Sequence, residues 1–454
     1  MRRRFGADVI LAVLLPLACA LALFALHPER SQPHAAPAAE TPLTSASVVC
    51  PAPLSGPDQL GVSVVGSGPD TEAAGDVQVG LAESAAPLSV RGGRVSLGPP
   101  GLGAAVVSAG GDLAPGLVAG RSRSAPLAAV DCAPPVADQW FTGVGAGATY
   151  DSVLELVNPN AGQAIADITV RSSAGVIDVP ALHGVAVPGS TATTLDLAKV
   201  VPHRGDLALE VHVSRGRLAV HVTDTYDELG SGVRSQDWLP AQSEPATSSV
   251  LLGLAKGDGE RTLVLANPGA DEVRATVEVI TASSVYAPSG VDPVRVAPDS
   301  TQTVTLDDVL AQAGKDGATG VLVEASGPLT ASVRQVVDGD LSLLAPAPAL
   351  ASASAVVVPT GAKRLLLEDP DTAGSATVTS YDADGKQLDQ QQVDLVPDAG
   401  ADLALPDAAA LVTLTPQGTS LRAAVLLSGT GTAVVPLREL VLTGLVPDVR
   451  PGVP

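Results

Sequence analysis

Four titratable side chains, His203, Glu210, His212 and His221, fall within one stretch of nineteen residues that holds three of the chain's six histidines. Strands spanning Leu207–Val213 and Leu218–Val222 with a two-residue turn at Arg215-Gly216 would set His221 opposite Glu210 and His212 on the diagonal. Such a face could hold a divalent cation weakly through imidazole and carboxylate; the plainer reading is a solvated sheet face. Two tryptophans, Trp140 and Trp238, stand after Asp138-Gln139 and Gln236-Asp237. Each could stack on a sugar ring, or fill the junction between two domains. The run Asp382-Ala383-Asp384-Gly385-Lys386 has the opening of a calcium loop but lacks the distant glutamate that such a loop needs. A type I′ hairpin turn accounts for it better. Arg204-Gly205-Asp206 spells an adhesion tripeptide at a strand start, a coincidence on this reading.

Beyond these there is little chemistry. No serine sits in a nucleophile elbow, no histidine pair has zinc-protease spacing, and no glycine-rich phosphate loop opens a helix. No catalytic residue, cofactor or metal is expected, and the chain reads as a non-enzyme. A formal charge of −22 leaves no basic surface for phosphate, so nucleic acid is not an expected partner.

The elements that position these residues must be strands. Aromatic residues make up 2 % of the chain and small aliphatics fill the apolar share, while 46 Gly and 38 Pro punctuate it too often for long helices. Three markers recur in order. Asn158-Pro159, Asn267-Pro268 and Asp369-Pro370 end a strand; Val187-Pro188, Ala297-Pro298 and Val396-Pro397 follow; Ser214-Arg215-Gly216, Ser326-Gly327 and Ser428-Gly429 close each copy. The first marker repeats at intervals of 109 and 102 residues. Leu97-Gly98-Pro99 and Ser108-Ala109-Gly110 look like a shortened earlier copy.

Alternation through Leu207, Leu209, Val211 and Val213 predicts half-buried strands, about seven per copy, with short helical turns at Leu195–Val200 and Leu306–Gln312. The fold class is therefore all-β, with tandem immunoglobulin-like β-sandwich repeats after an N-terminal transmembrane helix. A propeller would need repeats of roughly 40 to 50 residues and is not expected. Short linkers at Gln242–Ser248 and Ala345–Ser354 predict a semi-rigid rod.

At the N-terminus, Arg2-Arg3-Arg4 precede an apolar run from Val9 to Leu26. Its eighteen residues would reach about 27 Å, long for a cleaved signal, so it reads as an uncleaved anchor with the arginines inside and the body outside. Cleavage near Pro33-His34-Ala35-Ala36, which would release the body, and acylation at Cys19 are the alternatives. The expected order is residues 1–30 tip and anchor, 31–46 disordered stalk, 47–135 shortened β domain, 136–245, 246–347 and 352–446 sandwiches, and 447–454 tail. Cys50 and Cys132 are the only cysteines in the exported part and are expected to bond.

Ser47-Val48-Val49-Cys50-Pro51-Ala52-Pro53, Cys132-Ala133-Pro134 leading to Asp138-Gln139-Trp140-Phe141, and the hairpin Val213–Val220 together resemble an uncharacterised actinobacterial family of exported proteins, a domain of unknown function. The resemblance transfers no catalytic residue. It implies an envelope setting and association with envelope glycan or polymer biosynthesis. The expected role is a scaffold or accessory protein with an envelope protein as partner, or a glycan-binding module; an enzyme with an unrecognised site is the remote third.

Overall fold

The computed structural model describes residues 14–19, 21–22, 39–66, 73–99, 101, 103–202, 204–310 and 317–446. Pro42–Leu442 form one compact body. Outside it, Ala39–Pro42 and Thr443–Val446 make a two-stranded sheet. Part of the expected stalk is thus paired strand, while residues 31–38 and the tail 447–454 lie outside the described residues. Of Val9 to Leu26, residues 14–19 and 21–22 are described and helical. Among the described residues no helix is long and apolar enough to cross a membrane.

The body is all-β and contains four modules of one topology. In module 2 the strands are, in order, Asp138–Ala146, Tyr150–Asn158, Ala164–Ser172, a broken fourth (Gly175–Ile177 and Val185–Val187), Thr191–Asp196, Arg204–Arg215, Ala219–Glu228 and Val233–Leu239. They pair first-sixth-third-fourth in one layer and fifth-second-seventh-eighth in the other, the two layers joined where the first and second strands pair at Ala146 and Asp151. Modules 1, 3 and 4 repeat both orders, from Ser45–Cys50 to Leu127–Asp131, Ala246–Leu252 to Asp340–Leu344, and Ser354–Val357 to Gly431–Pro436. In module 3 the sixth and seventh strands are one element, Gly320–Val337. Module 1 keeps all eight strands, its fifth reduced to Ser96–Leu97. The order is not that of an immunoglobulin domain, whose first strand pairs with its second; here the first pairs along its length with the sixth and, in module 2, meets the second only at Ala146 and Asp151.

The hairpin expected at Arg215-Gly216 does not pair its two arms. Arg204–Arg215 bonds to the first and third strands, and Ala219–Glu228 crosses to the other sheet beside Tyr150–Asn158. Leu209 and Val211 therefore meet Val220 and Val222 from opposite sides of one core.

The markers of the repeat are bonded to one another. Asn158 Nδ2 donates to Val187 O at 3.1 Å and Gly162 O at 2.8 Å, and its Oδ1 accepts from Asn160 N at 3.0 Å. Asn267 repeats this, donating to Val296 O at 3.1 Å and Asp271 O at 2.7 Å and accepting from Gly269 N at 2.8 Å. Three residues past the broken fourth strand, Ser190 and Asp299 take left-handed φ of 56° and 50°, as does Asp398 at 61° in module 4. Short polar side chains tolerate that region better than branched ones.

The modules form a ring and not a rod. The four eighth strands contact one another in a cycle, 1 to 2 to 3 to 4 to 1, around a common axis. Repeat length alone therefore excluded the wrong thing: the arrangement is propeller-like, with a two-sheet module in place of each single-sheet blade. Three of the eighth strands also plug the core of the module before them. Leu343 enters the module 2 core, Val434 that of module 3, and Ala129 that of module 4. Trp238 holds the same register position and packs on Leu54, Ala128 and Val130 of module 1.

This explains the Leu-Val-Leu-Ala and Leu-Leu-Leu runs. The second and seventh strands face their own core on one side and the preceding module on the other, so Leu263, Val264, Leu265 and Ala266 are all fully buried, as are Leu365, Leu366 and Leu367. Two-sided burial gives continuous apolar strands, not alternation. Each such Leu or Val contributes about 1.5–3 kcal/mol. Cys50 and Cys132 are joined, closing a separation of 82 residues. They occupy the place that Phe141 and Ala241, or Val356 and Leu437, fill in larger modules. On the chain-entropy model that closure stabilises the body by about 4–5 kcal/mol.

Glycines let the last joint close. A Cβ on Gly61 would lie 2.7 Å from Val357 Cγ1, and one on Gly120 would lie 2.8 Å from Val357 O. Gly120→Val meets a backbone carbonyl and should lower stability by about 2 kcal/mol or more in chemical denaturation. Gly61→Ala meets only a side chain, so Val357→Ala should restore part of its loss. Additive losses in that pair would refute the contact.

Candidate functional site

The buried titratable groups concentrate where modules meet. At the joint of modules 2 and 3, Trp140 on the first strand lies in register with Glu210 on the sixth. The Arg171 guanidinium sits 5.1 Å from the Trp140 ring centroid, bonds Glu210 Oε2 at 2.9 Å, and reaches Asp299 of module 3 at 3.4 Å. His212, exposed beside them, bonds Asp138 Oδ1 at 2.6 Å, which raises its pKa. Three of the expected ligand residues, Trp140, Glu210 and His212, thus share one sheet. Deeper in the joint, Arg334 bonds Asp206 at 2.8 Å and lies 3.7 Å over the Tyr150 ring. Asp206 of the adhesion-like tripeptide is a joint residue. Asp224 accepts from Ser152 Oγ at 3.0 Å, and burial raises its pKa to about 7.

His221 and Trp238 lie on the other sheet, against module 1. His221 pairs in register with Glu155, not with Glu210. The expected metal face is therefore not assembled, because the chain changes sheets after Arg215. The solvated-face reading also fails for His221, which is 8 % exposed; burial, then Arg438 and Arg121, lowers its pKa to about 3. Glu155 accepts from Ala52 N at 2.9 Å, and Trp238 Nε1 donates to Ala52 O at 3.1 Å, so both hold one residue of module 1. Trp140 and Trp238 are 6 % and 2 % exposed, and neither indole offers a face for stacking. His203 lies outside the described residues. Among those described, no group of three or more histidine, cysteine or acidic residues could hold a metal.

Along the axis, Asp237 accepts from Leu343 N at 2.9 Å. Asp340 accepts from Ser235 Oγ at 3.0 Å and Thr432 N at 2.9 Å, and Arg123 donates to Gln236 O at 2.7 Å. All four modules contribute. Burial raises the pKa of both acids, that of Asp237 strongly. No sequence motif marks these residues.

Two clefts open at joints. One of about 540 Å³ between modules 1 and 4 is lined by Pro57, Leu97, Pro99 and Pro359, with Asp58 as its acid. Another, about 450 Å³, between modules 3 and 4, carries Lys256, Asp338, Asp340 and Arg364. The loop at Asp382 is a hairpin turn with three central residues, Ala383 to Gly385, and Gly385 at φ 79°; a type I′ turn would have two.

The fold and these joints define a closed ring of four two-sheet β modules. The chain belongs to a family of unknown function, DUF5719, whose model matches residues 98–406. No curated protein matches it. Among solved structures, a biofilm-associated protein BSP domain is similar at 10 % identity over 92 % of this chain and 99 % of that one, with a TM-score of 0.15. An α-L-rhamnosidase of Streptomyces avermitilis, complexed with L-rhamnose, is similar at 10 % identity over 88 % of this chain and 55 % of that one, with a TM-score of 0.12.

Module 4 departs from the repeat at Glu368, the last residue of its second strand, which pairs with Arg422 where Val157 and Ala266 pair with Ala219 and Thr330. The carboxyl is 1 % exposed, and neither oxygen has a hydrogen-bond partner. Burial, then Asp402 and Asp369, raises its pKa to about 8. The folded state thus holds a proton that the unfolded chain releases near pH 4.5, so stability falls as pH rises from there through about 8. Glu368→Gln should gain on the wild type across that range, by on the order of 2–3 kcal/mol at pH 8. Parallel stability curves from pH 5 to 9 would show that Glu368 carries no extra proton.

Proposed function

We propose that the chain is a non-enzymatic, extracytoplasmic scaffold or accessory protein of the actinobacterial cell envelope, held by its N-terminal apolar segment and acting through a protein partner. One observation carries the reading: the titratable and aromatic side chains that could have done chemistry are spent in holding modules together. Trp238 and His221 contact or face module 1, and Arg171, held against Trp140 and Glu210, reaches Asp299 of module 3. The joined Cys50 and Cys132 support an oxidising compartment. Glycan stacking on the tryptophans has no support in their burial.

Crosslinking in intact cells, followed by detection of the chain under non-reducing and reducing conditions, tests this. Discrete crosslinked species of higher mass, with Cys50 and Cys132 protected from alkylation until reduced, are expected. A chain that stays monomeric under crosslinking that captures a control complex overturns the scaffold reading. Free thiols at both positions overturn the extracytoplasmic one.

A further inference from the structure

The outward sheet of module 4 differs from its counterparts in modules 2 and 3. In module 2 that face carries Asp167, Arg171, Glu210 and His212, and in module 3 it carries Glu278 and Glu324. Module 4 has Thr377 opposite Thr415 on the sixth strand and Gln392 on the fourth. The next row is Thr379 with Thr413 and Gln390, and the last is Ser375 with Gln417 and Asp394. Eight of these nine side chains are neutral hydroxyls or amides. Alternate residues on paired strands place them on a grid of roughly 4.8 Å by 6.8 Å.

The face is also uncovered apart from Thr379, which is buried. In module 2, the fifth strand of the next module, Ser300–Thr305, lies over the third, fourth and sixth strands. The module that follows module 4 in the ring is module 1, whose fifth strand is only Ser96–Leu97. Module 1 reaches module 4 through Ser354–Val357 and the turn at Ala383–Gly385. Gln390, Gln392, Thr415 and Gln417 are exposed, and Thr377 and Thr413 half-buried. The amides are only loosely held, Gln392 Nε2 to Ser375 Oγ and Gln417 Nε2 to Thr377 Oγ1 both at 3.4 Å, so they can turn to another acceptor.

We infer that this face of module 4 binds a neutral glycan chain. Hydroxyl and amide groups offer donors and acceptors together, which suits a polyhydroxylated polymer. The rows hold no lysine or arginine for an anionic polymer, and the chain's charge of −22 repels one. They hold no tryptophan or arginine of the kind that anchors protein interfaces, and Tyr381, which continues the face, is taken up against Ala355, Val357 and Leu411. The binding is independent of the scaffold role and would let the ring bridge a protein partner and a polysaccharide.

Affinity electrophoresis of the full-length chain in gels containing laminarin, soluble starch or dextran tests it. Retardation by at least one polymer is expected, with the apparent Kd raised about tenfold or more by Gln392→Ala/Thr415→Ala and left unchanged by Thr276→Ala/Glu324→Ala on module 3. Both altered positions on module 4 lie at the surface, and Gln392→Lys, read in the same gels, guards against a folding defect in the double variant. Migration unaffected by all three polymers overturns the inference. So does equal retardation of wild type and both module 4 variants, which would move the contact elsewhere, for instance to a peptide laid along the free edge of Gln387–Leu395.

Discussion

Every second-and-seventh-strand pair in this protein is buried on both faces, one of them apolar throughout, and that one constraint organises the rest. A sheet with two buried faces cannot be finished by its own module, because the module supplies only one opposing sheet. The second face must be buried by a neighbour. With four modules each needing a predecessor, the first must be served by the last, and the chain closes. The plug residues grade with the joints: Trp238, Leu343, Val434 and Ala129 hold one register position with side chains of very different volume. Module 1, with the shortest fifth strand, receives the largest plug and the covalent link.

Closure brings polar groups inside along with apolar ones. Buried acids and arginines at joints are a weak source of stability, since desolvation offsets much of their attraction. Their bonds are directional, however, and they cross between modules: Asp237 to Leu343, Asp340 to Thr432, Glu155 to Ala52, Arg334 to Asp206. Apolar faces of similar modules could slide or exchange. Hydrogen bonds between unlike residues at each joint give every module a single place in the order.

The sequence disclosed the repeat, its all-β character and the disulfide, because these rest on local signals: Asn-Pro strand ends, turn residues at constant offsets, a lone cysteine pair beyond the apolar run. It concealed the ring. A run such as Leu-Val-Leu-Ala is consistent with two-sided burial, yet it names no partner for the second face. The alternation in Leu207–Val213 is real for the sixth strand and was extended wrongly to the seventh, where His221 then seemed solvent-facing. The turn at Arg215-Gly216 looked like a hairpin since nothing local distinguishes a turn within a sheet from a crossing between two. Glu210, His212 and Trp140 did fall together, through strand register; His221 and Trp238 did not, because sheet membership is a property of the whole module.

The two ends of the compact body meet, Leu43 N bonding Leu442 O at 3.1 Å. A string of modules held at one end and loaded at the other carries the force through each linker in turn. A ring whose entry and exit coincide does not. Were such a body tethered there, drag on any module would turn it as a whole and leave the linkers between modules slack.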